Sequence, residues 1–381
     1  MTPAVGYYVH HHGRGHLSRT KAIVQHMKTE VTVFTSLDAQ VAGAELKRLP
    51  SDTTPGRSID VPVPKGLHYS PVCLPGLTER MAIMSQWAAS SQPTLMVVDV
   101  SAEVATFSRL CGLPVVAVRQ HGQRDDPAHL LAYDCAVGLL APWHESLEEP
   151  CANDAVRTKT MYSGGISRYD SRMASIPRST ADSGARDRGH VLVLGGAGGE
   201  GWDFGMINRA ADETPLWDWK VVGPTRGTAS ERVQHLGWLD DTYDLIASAD
   251  VVIASAGDAT VNEVMSLSRP IVCIPEARPF QEQISKARKL HKVGAAISVE
   301  TWPDAGLWPS ILQKALDLDC SIHRTLVDGW GAQRAAAYLD ELAARFADIG
   351  SLDLARQRAA EDLDAFSFGT PVYEAHFGKG G

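Results

Sequence analysis

A chain of 381 residues, 44% hydrophobic and 21% charged, is long enough for two or three domains of ~150 residues and excludes a solvated tail or a fibre. The 36 Lys and Arg against 45 Asp and Glu give −9, which excludes a dedicated nucleic-acid binder, because phosphate neutralisation needs clustered positive charge. The acidity is uneven: residues 1–180 hold 17 basic and 16 acidic side chains, whereas residues 181–381 hold 19 and 29.

In chain order, β-branched runs alternate with helical patterns. A strand over Ala4–Val9 precedes a helix from about Leu17 to Met27, then strands at Val31–Thr35, Leu95–Asp99 and Val115–Val118. This rhythm predicts a parallel α/β sheet. Between them, Leu77, Met81, Met84 and Trp87 recur at helical spacing, a stripe that either faces the core or touches a lipid surface. Residues 164–189, rich in Ser, Arg and Gly, break the rhythm and read as a linker. Strands then resume at His190–Leu194, Trp219–Val222, Val251–Ala254 and Ile271–Ile274, with a helix over 331–346, another from Leu354 to Phe366, and a loose end. Two doubly wound lobes are implied: 1–165, and 190–346 followed by a C-terminal helix and tail over 347–381.

Six scattered cysteines without a C-x-x-C suggest neither a disulfide framework nor a zinc site. Met1 to Val9 lacks a basic n-region, and no run approaches the ~18 apolar residues of a spanning helix, so a cytoplasmic location is expected.

The first strand opens into His10-His11-His12-Gly13-Arg14-Gly15-His16 and a helix. Glycines turn the chain sharply there, at the carboxyl edge of the sheet where α/β proteins bind ligands. His16 is placed to take a proton from a hydroxyl, or else packs the turn. Consecutive strand residues alternate faces, so His10, His11 and His12 do not converge on one metal, and none is expected. Asp99 ends its strand at the same edge. It either orients the His16 imidazole or, like Ser101, caps the next helix.

In the second half, Leu194 runs into Gly195-Gly196-Ala197-Gly198-Gly199-Glu200-Gly201, formally a G-x-G-x-x-G. No acidic residue closes the following strand as a dinucleotide site requires, so Gly196 and Gly198 read as a loop that lets some ligand approach closely, and an NAD(P)-dependent dehydrogenase is a distant alternative. More specific is the buried strand that ends in Ser255-Ala256-Gly257-Asp258-Ala259-Thr260 and starts a helix. Its free N–H groups form an anion site without lysine, which suits a diphosphate in an acidic lobe. Glu263, one turn in, suits two ribose hydroxyls or simply the helix dipole. Glu282 and Gln283 open another helix with groups suited to sugar hydroxyls.

These residues resemble glycosyltransferases of the GT-B fold, the group containing MurG and the UDP-glucuronosyl-type enzymes, with a donor domain of the family 28 C-terminal type. The likeness covers nearly the whole chain, most strongly 235–297. It implies an α/β fold of two Rossmann-like doubly wound parallel-sheet domains facing a cleft. It further implies His16 near an acceptor, diphosphate at Ser255, Gly257, Ala259 and Thr260, ribose at Glu263, and base pairing with the backbone at Leu239. Donor sugar is implied at Glu282 and Gln283, and Arg168 is implied as an interdomain basic residue at the diphosphate, to which Gly196 and Gly198 also belong. Asp258 departs from the family's small residue, Glu282 from its Gln or Asp, and Arg14 from its Gly-rich loop, so the muramyl-lipid acceptor is not carried over.

The reading is an inverting, metal-independent glycosyltransferase that needs no cofactor beyond its nucleotide-diphospho-sugar co-substrate, UDP-linked first and dTDP-linked second. The acceptor is a small-molecule or lipid-linked alcohol, with peripheral contact at the inner membrane face through the N-terminal domain in the lipid case. The alternatives are a UDP-sugar 2-epimerase of the same fold and a noncatalytic sugar-nucleotide-binding protein.

Overall fold

The computed structural model describes residues 3–11, 14–53, 61–149, 152–175, 188–196 and 201–364. In the first half the elements run β1 (Ala4–Val9), α1 (Arg14–Val24), β2 (Glu30–Thr35), β3 (Ala44–Arg48), α2 (Pro75–Ser91), β4 (Leu95–Asp99), α3 (Ala102–Leu110), β5 (Val115–Val118), α4 (Pro127–Cys135), β6 (Gly138–Ala141), α5 (Asp154–Lys159) and β7 (Thr160–Tyr162). The strands form one parallel sheet ordered β3-β2-β1-β4-β5-β6-β7. Strands β4, β5 and β6 are buried along their whole length, as a sheet covered on both faces demands.

The second half runs β8 (Gly189–Leu194), β9 (Trp202–Asp203), α6 (Phe204–Asp212), β10 (Trp217–Val222), β11 (Thr225–Arg226), β12 (Val233–His235), α7 (Tyr243–Ser248), β13 (Val251–Ala254), α8 (Asp258–Ser266), β14 (Ile271–Cys273), α9 (Glu282–Lys292), β15 (Ile297–Ser298), α10 (Trp308–Leu316), α11 (His323–Leu326) and α12 (Gly331–Asp364). Its parallel sheet is ordered β12-β10-β8-β13-β14-β15, with β9 and β11 as a separate pair. Each large sheet reverses direction once, between β1 and β4 and between β8 and β13. Such switch points open the crevice in which ligands bind.

The Met84 and Trp87 stripe of α2 is buried against the first sheet together with Phe34 and Met96, which makes it a core stripe. The benzo edge of Trp87 packs against Gly6 of β1: a Cβ there would stand 2.6 Å from the indole and 2.7 Å from the Met96 sulfur. The Gly6→Ala variant is therefore overpacked and should lose about 1–3 kcal/mol, read as a lower urea midpoint with an unchanged slope.

Four sequence expectations change. Helix α1 begins at Arg14, not Leu17, so His16 stands in its first turn. The segments 331–346 and 354–366 are joined in the single helix α12, since Gly350 costs a helix only ~1 kcal/mol and no proline intervenes; residues 365–381 lie outside the described residues. Moreover Ala332, Ala335, Ala336, Leu339 and Ala343, grouped by sequence with the second lobe, pack against Val5, Tyr7 and Val97 of the first. The front of the expected linker is likewise built in, with Ile166 and Ser167 buried and the Ile166 carbonyl accepting from Asn262 Nδ2 at 3.2 Å. Among the described residues no helix is long and apolar enough to cross a membrane.

Candidate active site

One cleft of about 800 Å³ lies between the carboxyl edges of the two sheets. His16 and Asp99 flank the switch point of the first sheet, one from the start of α1 and the other from the last position of β4. Val100, with φ at 65°, turns the chain sharply after Asp99, a strained conformation for a β-branched residue. Ser101, not Asp99, caps α3, accepting from Val104 N at 3.1 Å. Asp99 instead lies 3.0 Å from His16 Nδ1, is 0% exposed, and receives Arg19 Nε at 3.1 Å and Nη2 at 2.6 Å. Burial opposes its ionisation, but Arg19 and His16 outweigh it and hold the carboxyl at about 2. An ionised Asp99 at Nδ1 favours the tautomer protonated there, which leaves Nε2 of His16 able to accept a proton.

Across the cleft, α8 starts at Gly257, which caps it without a side-chain hydrogen bond. A helix leaves its first amide N–H groups without intrahelical partners, and here they sit beside Ser255, Ala259 and Thr260 on the cleft wall. Helices α1 and α8 meet near their starts: a Cβ on Gly15 would lie 3.7 Å from that of Ala259. Asp258 does not oppose an anion as an isolated charge. It pairs with Lys286 Nζ and, at 3.3 Å, with Arg19 Nη1, and despite burial these cations, Lys286 foremost, keep it ionised.

Gly196 follows β8 on the cleft wall beside Leu194, whereas Gly198 lies outside the described residues. Asp218 stands inside β10, at the end away from the cleft, and pairs with Arg188 at 2.7 Å, so it offers a dinucleotide ribose nothing. Leu239 and Glu263 line the same wall. Burial lifts the Glu263 carboxyl to about 7 even against its pair with Arg168, whose Nε is 2.9 Å from Oε1. Arg168, expected at the diphosphate, lines the cleft and pairs with Glu263 and the Asp240 carbonyl of the Leu239 loop.

Glu282 and Gln283 also reach the cleft. Glu282 takes Arg124 Nη2 at 3.1 Å across the domain boundary, and burial raises its carboxyl. Gln283 Oε1 accepts from Glu276 N at 2.8 Å. Arg124 also stacks on Phe280, 4.5 Å from the ring centroid, and donates toward His129 Nε2 at 3.2 Å. His68 and His129 each pair with one oxygen of Asp126, at 2.7 Å and 2.5 Å. This trio has metal-ligand chemistry, but the Arg124 guanidinium at its edge opposes a further cation. His10 and His11 stack on each other with centroids 4.7 Å apart, and His12 lies outside the described residues.

Arg19, Lys286 and Arg124 carry much of this geometry and were given no role from sequence. Arg19 stands three residues after His16 and Lys286 three after Gln283, the spacing that puts helical side chains on one face, so a signal was present for both. Arg124 sits in a loop without a motif.

Residues 220–319 match the glycosyltransferase family 28 C-terminal domain. A relative from Serratia proteamaculans (strain 568), a UDP-N-acetylglucosamine--N-acetylmuramyl-(pentapeptide) pyrophosphoryl-undecaprenol N-acetylglucosamine transferase, is 27% identical over 205 residues, 50% of this chain and 54% of its own. An uncharacterized glycosyltransferase of Methanosarcina acetivorans is 29% identical over 159 residues, 39% of this chain and 40% of its own. The chain thus spans about half the length of the curated relatives it matches, or less. Among solved structures, the spinosyn forosaminyltransferase SpnP aligns with a TM-score of 0.64 at 13% identity, covering 90% of this chain and 100% of that one. The MurG of Acinetobacter baumannii aligns with 0.52 at 13% identity, covering 91% and 100%.

Two doubly wound lobes that face one cleft define the GT-B architecture. The chain has that fold, and its residues 220–319 carry the match to the glycosyltransferase family 28 C-terminal domain.

Proposed function

We propose that this protein transfers a sugar from a UDP-hexose or UDP-N-acetylhexosamine to an acceptor hydroxyl with inversion at the anomeric carbon. The observation that carries the reading is the pairing of two switch points across one cleft: the His16–Asp99 dyad on one side, the open start of α8 with Glu263 on the other. His16 Nε2 removes the acceptor proton, the oxygen attacks the anomeric carbon from the face opposite the leaving group, and UDP departs. The α8 N–H groups, with the hydroxyls of Ser255 and Thr260, carry the charge that develops on the leaving diphosphate, the task a divalent ion performs elsewhere, so no metal and no cofactor is assigned to the reaction. Ribose hydroxyls bind Glu263 after Arg168 yields, the base meets the Leu239 backbone, and Glu282 and Gln283 meet the donor sugar. The acceptor, a small-molecule or lipid-linked alcohol, enters along the wall of His68, Tyr69, Glu103 and Phe280.

The name of the Serratia relative favours UDP-N-acetylglucosamine as the first donor to test. Thermal denaturation with UDP-, dTDP- and GDP-sugars is the direct experiment. A UDP-sugar at a hundred times its Kd stabilises the fold by about 2.7 kcal/mol, whereas a chain that no nucleotide sugar stabilises is not this enzyme. Formation of an epimer from donor alone would assign the cleft to epimerisation instead.

A further inference from the structure

The four charges Asp99, Arg19, Asp258 and Lys286 alternate in sign along a line that crosses from the first domain to the second. Arg19 is the central member. Its side chain is 7% exposed, and its planar fork is fully divided: Nε and Nη2 go to the two oxygens of Asp99, and Nη1 to Asp258 Oδ2. Nη2 also stands 3.1 Å from His16 Nδ1, so the guanidinium and the imidazole meet on the same Asp99 oxygen. Asp258 belongs to the first turn of α8, the helix whose start faces the cleft.

We infer that Arg19 is a positioning residue that couples the His16–Asp99 dyad to α8 through Asp258, so that a change at Asp258 in one domain is felt at His16 in the other. The kinetic consequence rests on His16 acting as the base; the coupling itself does not. In a buried, weakly screened site the position of one guanidinium decides how much of Asp99 remains for the imidazole. With Asp258 in place, Nη1 is drawn toward the donor helix. Without it, the guanidinium settles wholly on Asp99 and lies closer to His16. The charged and titratable groups that bear on His16 are Asp99 from β4, Arg19 from α1 and Glu282 from α9; His10 after β1 and Asp258 from α8 line the same cleft, and Lys286 from α9 and His121 after β5 bear on Asp258.

The test is an NMR titration of the histidine side chains in the full chain, with the His16 resonance assigned by its loss in His16→Gln. Arg19→Gln removes a cation from beside the imidazole and should move the His16 midpoint up by about half a unit or more; Asp258→Asn removes an anion and should move it down by a similar amount. Asp258 is the less buried of the two, so its variant tests the coupling even if Arg19→Gln fails to fold. A midpoint unchanged in Asp258→Asn overturns the proposal. With donor and acceptor in hand, the acid limb of kcat/KM should move in the same directions. Shifted midpoints in a chain that transfers no sugar would leave the coupling standing and remove only the enzymatic reading.

Discussion

In the His16→Ala variant, sugar transfer falls by about 10²–10⁴-fold or more while the affinity for UDP changes little. On the proposed roles, loss of the general base removes the proton acceptor and nothing from the nucleotide subsite assigned to α8 and Glu263 on the other side of the cleft. Steady-state transfer combined with calorimetric titration of UDP measures both quantities, and full turnover by the variant would end the assignment of His16 as base. Asp99→Asn should be nearly as damaging, because an amide at this position tolerates the wrong imidazole tautomer and leaves Arg19 without its buried counter-charge. The pH dependence follows in sign. Asp99 has a depressed pKa of about 2, so the stability and the orientation it supplies are present above the unfolded value near 3.8 and vanish only as pH falls through about 2. Any loss of activity between pH 5 and 7 therefore arises elsewhere in the site.

The second large effect combines two opposite signs. Glu263→Gln should weaken UDP binding by about 10- to 100-fold, the worth of hydrogen bonds to a charged acceptor, yet stabilise the fold above neutral pH. Burial raises the Glu263 carboxyl from 4.5 to about 7, so the folded chain holds this proton more tightly than the unfolded chain. Its ionisation then costs stability that begins to be lost above pH 4.5 and is fully lost above about 7, on the order of 3 kcal/mol with Arg168 already in place. Glutamine removes that cost, so the melting temperature should rise by a few degrees at pH 8 and not at all at pH 5. UDP affinity of the unaltered protein should weaken as pH drops below about 7, and that dependence should vanish in Glu263→Gln. A variant that is less stable at pH 8 would show that the Arg168 pair outweighs the burial of the charge.

The strands were readable because each is a short β-branched run bounded by turn residues. Ala4–Val9, Leu95–Asp99, Val115–Val118 and Val251–Ala254 fall where periodicity and composition place them. Once strand order is known, the carboxyl edge of each sheet follows, and with it His16, Asp99 and the turn from Ser255 to Thr260. Contacts between residues far apart in the chain leave no local periodicity. Nothing near Asp258 announces that Arg19, 239 positions earlier, would accompany Lys286 in neutralising it, and nothing near Glu282 announces Arg124. Arg168 lies in the cleft, and its contacts with Glu263 and the Asp240 carbonyl likewise have no local sign in the sequence. The alanine-rich face of α12 was legible as a packing face, but not which sheet it would cover.

That helix has a mechanical consequence. Because α12 returns to the first sheet, the chain passes between the lobes twice, near 163–169 and again near 327–331, and the passages touch: Gly165 N donates to the Leu326 carbonyl at 2.8 Å, and a Cβ on Gly331 would lie 2.4 Å from the Gly165 carbonyl oxygen. Neither glycine has room for a side chain: a Cβ on Gly165 would also stand 2.6 Å from Val327 Cγ2, so an alanine at either position would wedge the two crossings apart and shift one lobe against the other.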